Sequence, residues 1–148
     1  MKYFVHLVKR FASSLSPRDV SEDEFNMVRS TLSASEYELW LQFTRADRRH
    51  SVLVAMRFIA LRANASRNEI AGVLLHDIGK IRSDLSTLQR VAATIVGPRT
   101  KRFALYHQHE EIGADMLRRA GSDSEVIAIV NQTCNADVVA AFRAADNI

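Results

Sequence analysis

His76 and Asp77 stand side by side at the end of the run Ile70-Ala71-Gly72-Val73-Leu74-Leu75, with Gly79 and Lys80 just beyond. Five of those six preceding residues are aliphatic, so the run predicts a buried, rigid helix that delivers an imidazole and a carboxylate together. Helix neighbours point about 100° apart and cannot share an ion in mid-helix, but at the last turn they can converge past the end. Gly79 predicts that end, since glycine is preferred just past a helix. An imidazole and a carboxylate so placed suit a divalent ion. They also suit a plain helix end whose histidine is satisfied by a hydrogen bond.

Other residues weigh on that choice. His50 lies upstream at the head of a second apolar segment, and Asp146 lies downstream in Ala141-Phe142-Arg143-Ala144-Ala145-Asp146. An isolated histidine, an adjacent His-Asp and a distant aspartate, together with His76-Asp77-Ile78-Gly79-Lys80 and His109-Glu110-Glu111-Ile112-Gly113-Ala114, resemble the HD-domain superfamily of metal-dependent phosphohydrolases. The resemblance runs from about Arg48 to Asp146. It implies an all-α HD-domain helical fold of roughly eight helices around a central metal site. It also implies one divalent ion held by His50, His76, Asp77 and Asp146, with manganese, iron, cobalt, zinc and magnesium all compatible with two imidazoles and two carboxylates.

The implied reaction is hydrolysis of a phosphate ester, of a nucleotide or a similar small phosphorylated metabolite. An ion at that centre acidifies water and polarises a phosphoryl oxygen. Asp77 and Lys80 would carry the chemistry, Lys80 as an exposed cation on the substrate phosphate. A lysine there can equally meet the free carbonyls of a helix C-terminus. In two-metal members of the family a histidine matching His109 binds a second ion with help from a later histidine. Here the later stretch reads Val130-Asn131-Gln132-Thr133-Cys134-Asn135, so one ion is expected. His109 is then left to hydrogen-bond a ligand, water or substrate, and Gln132 offers only a weak amide oxygen. Glu110 and Glu111 lie near the expected site, but no proton donor can be named. The missing histidine also fits an alternative of another class, a non-catalytic HD-fold signalling or interaction module with a structural or vestigial metal site.

Several helices must position these groups. Ser21 with Glu24, Ser33 with Glu36, and Ser66 with Glu69 have the form of capping boxes, and Thr44 with Asp47 offers a cap of the same kind. The Thr44 cap predicts a helix from Arg45 to about Arg62, nine of whose ten residues from Val52 to Leu61 are apolar, hence central and buried. Arg48 and Arg49, next to His50, face either phosphate or solvent. Trp40 and Phe43 read as packing anchors. Residues 1–47 read as a helical extension packed on the motif-bearing core 48–148, the whole 1–148 forming one domain. At its start, Tyr3, Phe4, Leu7, Val8 and Phe11 lie at helical spacing beside Lys2, Lys9 and Arg10. That stripe packs on its own domain or lies on an anionic membrane surface. Another helix is predicted from Ser83 to Val96. The loop after it carries Arg99, Lys101 and Arg102, which would either guide an anionic substrate or serve solubility. Further helices are predicted from about Tyr106 to Ala120, stopped by Gly121, then from a cap at Ser122-Asp123-Ser124-Glu125 to about Thr133, and from Ala136 to Asp146.

Composition sets the outer limits. A chain of 148 residues can bury roughly 70% of its unfolded surface in one core. A net charge of +3 suits a small anionic substrate and is too mild to indicate nucleic acid. The single Cys134 excludes an internal disulfide and suits a reducing compartment. No apolar run reaches the length of a membrane span, and the expected setting is cytoplasmic.

Overall fold

The computed structural model describes residues 18–83 and 108–147, in which seven α-helices and one 3-10 helix occur and no strand. The helices are α1 (Glu22–Thr31), α2 (Ala34–Leu41), α3 (Arg45–Leu61), α4 (Arg67–Leu74), α5 (His109–Arg119), α6 (Ser124–Val130) and α7 (Ala136–Asp146), with the 3-10 helix at Ile78–Ser83. The expected N-terminal amphipathic helix, the stretch from Asp84 to Val96, and the basic loop with Arg99 and Arg102 lie outside the described residues. No helix among the described residues is long and apolar enough to cross a membrane.

The starts of the helices follow the capping residues. Ser21, Ser33 and Ser66 each form a full capping box with the glutamate three residues on, and Thr44 accepts from the Asp47 N–H. Asp123 and Asn135 cap α6 and α7. α5 differs, because Gln108 makes no side-chain cap. It ends as expected at Gly121, whose φ of 75° lets Ser122 N–H reach the Leu117 carbonyl at 3.0 Å.

Apolar residues from all seven helices form one core, including Val28 of α1, Trp40 of α2, Phe58 of α3, Leu74 of α4, Leu117 of α5, Ile129 of α6 and Phe142 of α7. Burying a side chain such as Phe58 or Leu74 contributes roughly 1.5–3 kcal/mol. Trp40 and Phe43 are buried packing residues. The Trp40 indole Nε1 donates to Ser51 Oγ at 2.9 Å, which ties α2 to α3 and satisfies the one polar atom of a fully enclosed ring.

Three expectations need correction. α3 is not buried all round: Leu53, Met56 and Leu61 are 45%, 51% and 58% exposed, because α4 and α7 cover the opposite face. Arg48 faces neither phosphate nor open solvent. Its Nη1 donates to the Leu41 and Phe43 carbonyls at 3.2 and 3.0 Å, closing the end of α2 beside a longer contact with Asp19. Gly79 is not the left-handed stop of α4, which ends at Leu74; it lies inside the 3-10 helix, and its φ is not positive. A Cβ at Gly79 would come within 1.8 Å of the His109 carbonyl oxygen, so glycine is required for close approach of the 3-10 helix to α5. Gly72 serves the same end where α4 meets Ile129 of α6, since a Cβ there would lie 2.4 Å from the Ile129 Cβ.

Candidate metal centre

His76 and Asp77 converge because the backbone tightens between α4 and the 3-10 helix. Leu75, at φ −103° and ψ 5°, has left helical geometry, and successive three-residue bonds follow from Ile78 N–H to the Leu75 carbonyl and from Lys80 N–H to the Asp77 carbonyl. Both side chains are buried, each about 5% exposed. The expectation that they meet past the helix end therefore holds, although a turn rather than glycine produces it.

The His76 ring is oriented by its own chain. Nδ1 lies 2.7 Å from the Val73 carbonyl, which can only accept, so Nδ1 carries the proton and a neutral ring presents its Nε2 lone pair to the centre. Phe142 of α7 packs edge-on against the ring at 5.1 Å between centroids. His76 Nε2 is buried and makes no hydrogen bond. Its nearest charged neighbours are Asp77 Oδ2 at 3.5 Å and Asp146 Oδ1 at 3.6 Å, beyond good hydrogen-bond length.

α3 brings His50 from its second turn and α7 brings Asp146 from its last residue. His50 Nε2 lies 3.0 Å from Asp146 Oδ1 and 4.0 Å from Asp77 Oδ2. One ligand atom each from His50, His76 and Asp77 fall within 4.8 Å of one another, and Asp146 flanks the two imidazoles. Two imidazole nitrogens and carboxylate oxygens so close together, one nitrogen buried without a partner, fit a divalent ion.

Charge in the centre is tightly coupled. Burial alone would raise the Asp77 pKa, but the His76 and Lys80 charges and the His109 ring more than reverse this and hold it well below the usual carboxylate range. Asp146 is likewise held low against its burial, by the His50 hydrogen bond and the nearby His76. Burial opposes protonation of His76, yet Asp77 and Asp146 together outweigh it and raise its pKa. Both carboxylates are thus ionised at neutral pH.

Lys80 departs from expectation. It is buried rather than exposed, because Nζ turns inward to Asp77 Oδ2 at 2.6 Å. His109, from the first turn of α5, reaches Asp77 Oδ1 with Nε2 at 3.4 Å, leaving the two carboxylate oxygens facing different partners. Arg99 and Arg102 lie outside the described residues. One group was not foreseen: Arg143 Nε donates to Gln132 Oε1 at 2.7 Å, and Gln132 Nε2 donates to Glu110 Oε1 at 3.0 Å. No sequence pattern marks this chain of contacts, because its members come from α7, the end of α6 and α5.

With this geometry in place, comparison with known families finds the HD domain at residues 48–141, more than half of the chain. The chain belongs to the HD-domain family. No curated protein and no solved structure matches it. HD domains are all-α, bind divalent metal in general and are typically hydrolase-like, within a superfamily of metal-dependent phosphohydrolases. Three of the four expected ligands fall inside the matched span of this HD domain, and Asp146 lies just beyond it.

Proposed function

We propose that the protein is a metal-dependent phosphohydrolase that cleaves a phosphate ester of a nucleotide or a similar small metabolite. The observation that carries this reading is the buried, unpartnered Nε2 of His76 beside His50, Asp77 and Asp146 in an HD domain. In this reading those four residues hold one divalent ion, of the manganese, iron, cobalt, zinc or magnesium type. When bound, the ion supplies Lewis acidity, acidifying water and polarising a phosphoryl oxygen.

The protein groups divide the remaining tasks. His76 is fixed by its Val73 bond, so its lone pair needs little reorganisation to act as a ligand. Asp77 turns Oδ2 toward the two imidazoles and Oδ1 toward His109, orienting groups on both sides of the centre. Lys80 holds Asp77 in place and adds positive charge close to where phosphate charge develops. His109 is half-buried and hydrogen-bonds substrate or water, and Arg99 and Arg102 are further proposed substrate contacts.

The test is a screen of the chelator-treated chain, reloaded with manganese, against nucleotide and sugar phosphates, with the released phosphate measured. Metal-dependent turnover that disappears in His76→Ala and Asp77→Ala is expected. Full metal occupancy without turnover on any phosphate ester would instead favour a non-catalytic HD module.

A further inference from the structure

Lys80 is buried against Asp77, so its charge belongs to the inner wall of the centre. An anionic substrate arriving from solvent needs a cation that it can reach, and α7 carries one. Arg143 lies one helical turn before Asp146, on the flank of the face whose Phe142 and Asp146 meet His76. Its side chain is exposed yet anchored, through Gln132, to Glu110, which neighbours His109 on α5. The three side chains therefore link the two helices that carry the outer residues of the centre, His109 and Asp146.

Gln132 occupies an unfavourable backbone to do this. Its φ of 54° is the one positive value at a non-glycine residue among the described residues. It follows the α6 C-cap, where Thr133 N–H bonds the Ala128 carbonyl and Gln132 N–H bonds the Ile129 carbonyl. A helix end closed in this way favours glycine, and α5 uses Gly121 at the corresponding place. Retaining a non-glycine residue with an amide side chain at a strained, left-handed position points to a use for that side chain. The use visible here is its bond to Arg143 Nε. That bond fixes the plane of the guanidinium, whose side chain makes no other hydrogen bond or ion pair among the described residues. The terminal nitrogens thus form an oriented fork of donors, a shape that matches two oxygens of a phosphate.

We propose that Arg143, positioned by Gln132 against Glu110, binds a phosphate group of the substrate at the outer edge of the metal centre. The inference rests on the phosphate-ester reading for its substrate, while the Arg143–Gln132–Glu110 contacts include none of the four proposed metal ligands. Arg143 is a binding residue here and Gln132 a positioning residue.

The test is calorimetric titration of inorganic phosphate into the full chain loaded with manganese, for wild type, Arg143→Ala, Arg143→Lys and Gln132→Gly. Manganese content and melting temperature are measured for each protein. Arg143→Ala is expected to weaken phosphate binding about tenfold or more, with manganese content unchanged. Arg143→Lys should recover only part of the loss, since lysine lacks the fork. Gln132→Gly relieves the backbone, so its melting temperature should hold or rise while phosphate binds more weakly; a merely structural glutamine would show the first change without the second. Equal phosphate affinity in wild type and Arg143→Ala, or no phosphate binding by wild type, overturns the inference. Phosphate binding that depends on Arg143 in a wild type that holds no manganese would support this inference and count against the metal reading.

Discussion

His76, Asp77 and Lys80, on the inner side of the centre, are buried and fixed by neighbours close in sequence, whereas Asp146, Arg143 and Gln132 on the outer side are more exposed and meet across distant segments. The Asp77 side chain is 6% exposed and that of Asp146 is 30% exposed. On the inner side, the Val73 carbonyl, the 3-10 turn and the contact of Gly79 with α5 define the geometry through protein contacts. On the outer side, geometry depends on how α7 docks on α3 and how α6 ends. A preformed inner wall with a rim assembled by tertiary packing gives a stable set of ligands beside a surface that can select a substrate.

The comparison breaks most severely at Gly79. Gly79→Ala would force a methyl group against the His109 backbone, and it should lower stability by about 3 kcal/mol or prevent folding. Denaturant unfolding of the purified variant measures this, and a wild-type midpoint would show that α5 can retreat from the 3-10 helix without loss.

Lys80→Ala comes next, because it leaves the buried Asp77 carboxylate without its closest cation. Breaking such a pair costs about 3 kcal/mol in metal-free protein. The loss should shrink when manganese is present, since the ion replaces the missing positive charge. Thermal melts with and without manganese test this, and an equal loss in both would mean that Asp77 does not face the ion.

On the outer side, Asp146→Ala removes one hydrogen bond from His50 and should cost only about 1 kcal/mol of stability. Manganese affinity should nevertheless fall, because a ligand is lost. A large stability loss in metal-free protein would erase the contrast between wall and rim.

A smaller, pH-dependent effect tests how firmly the inner wall is rooted at the start of α4. Arg62 gives Glu69 two hydrogen bonds of 3.0 Å, and these hold the Glu69 pKa below its ordinary value. A carboxyl group whose folded-state pKa is lowered contributes stability above its unfolded value and loses it as pH falls through the folded one. Wild type should therefore melt above Glu69→Gln at neutral pH, and the two should converge in acid. A constant difference across pH would show that packing rather than ionisation separates them.

The four candidate ligands were legible in the sequence, whereas the contacts of Gly79, Lys80 and Gln132 that surround them were not. Capping boxes at Ser21, Ser33 and Ser66 act within one turn, so local reading sufficed to start α1, α2 and α4. The His-Asp pair announced itself by adjacency, and His50 and Asp146 by a family pattern. The role of Gly79 could not be read, because a close approach involves a partner thirty residues away, at His109. The inward turn of Lys80 is a contact with Asp77 three residues away, but that spacing alone does not show that both side chains are enclosed. Gln132 reads in the sequence only as a weak ligand, since neither its left-handed backbone nor its bonds to Glu110 and Arg143 leave a local signature. The open face of α3 has no mark in the sequence, because apolar content alone does not say which neighbours arrive to cover it.

The central claim is that His50, His76, Asp77 and Asp146 together hold one divalent ion that ties α3, the turn after α4, and α7. Titrating manganese into chelator-treated wild-type protein, with stoichiometry and melting temperature followed together, tests it most directly. The account predicts one tightly bound ion per chain and a higher melting temperature, equivalent to about 2.7 kcal/mol at a hundredfold excess over Kd. Binding of no ion, a melting temperature indifferent to manganese, or two ions bound with equal tightness would contradict it.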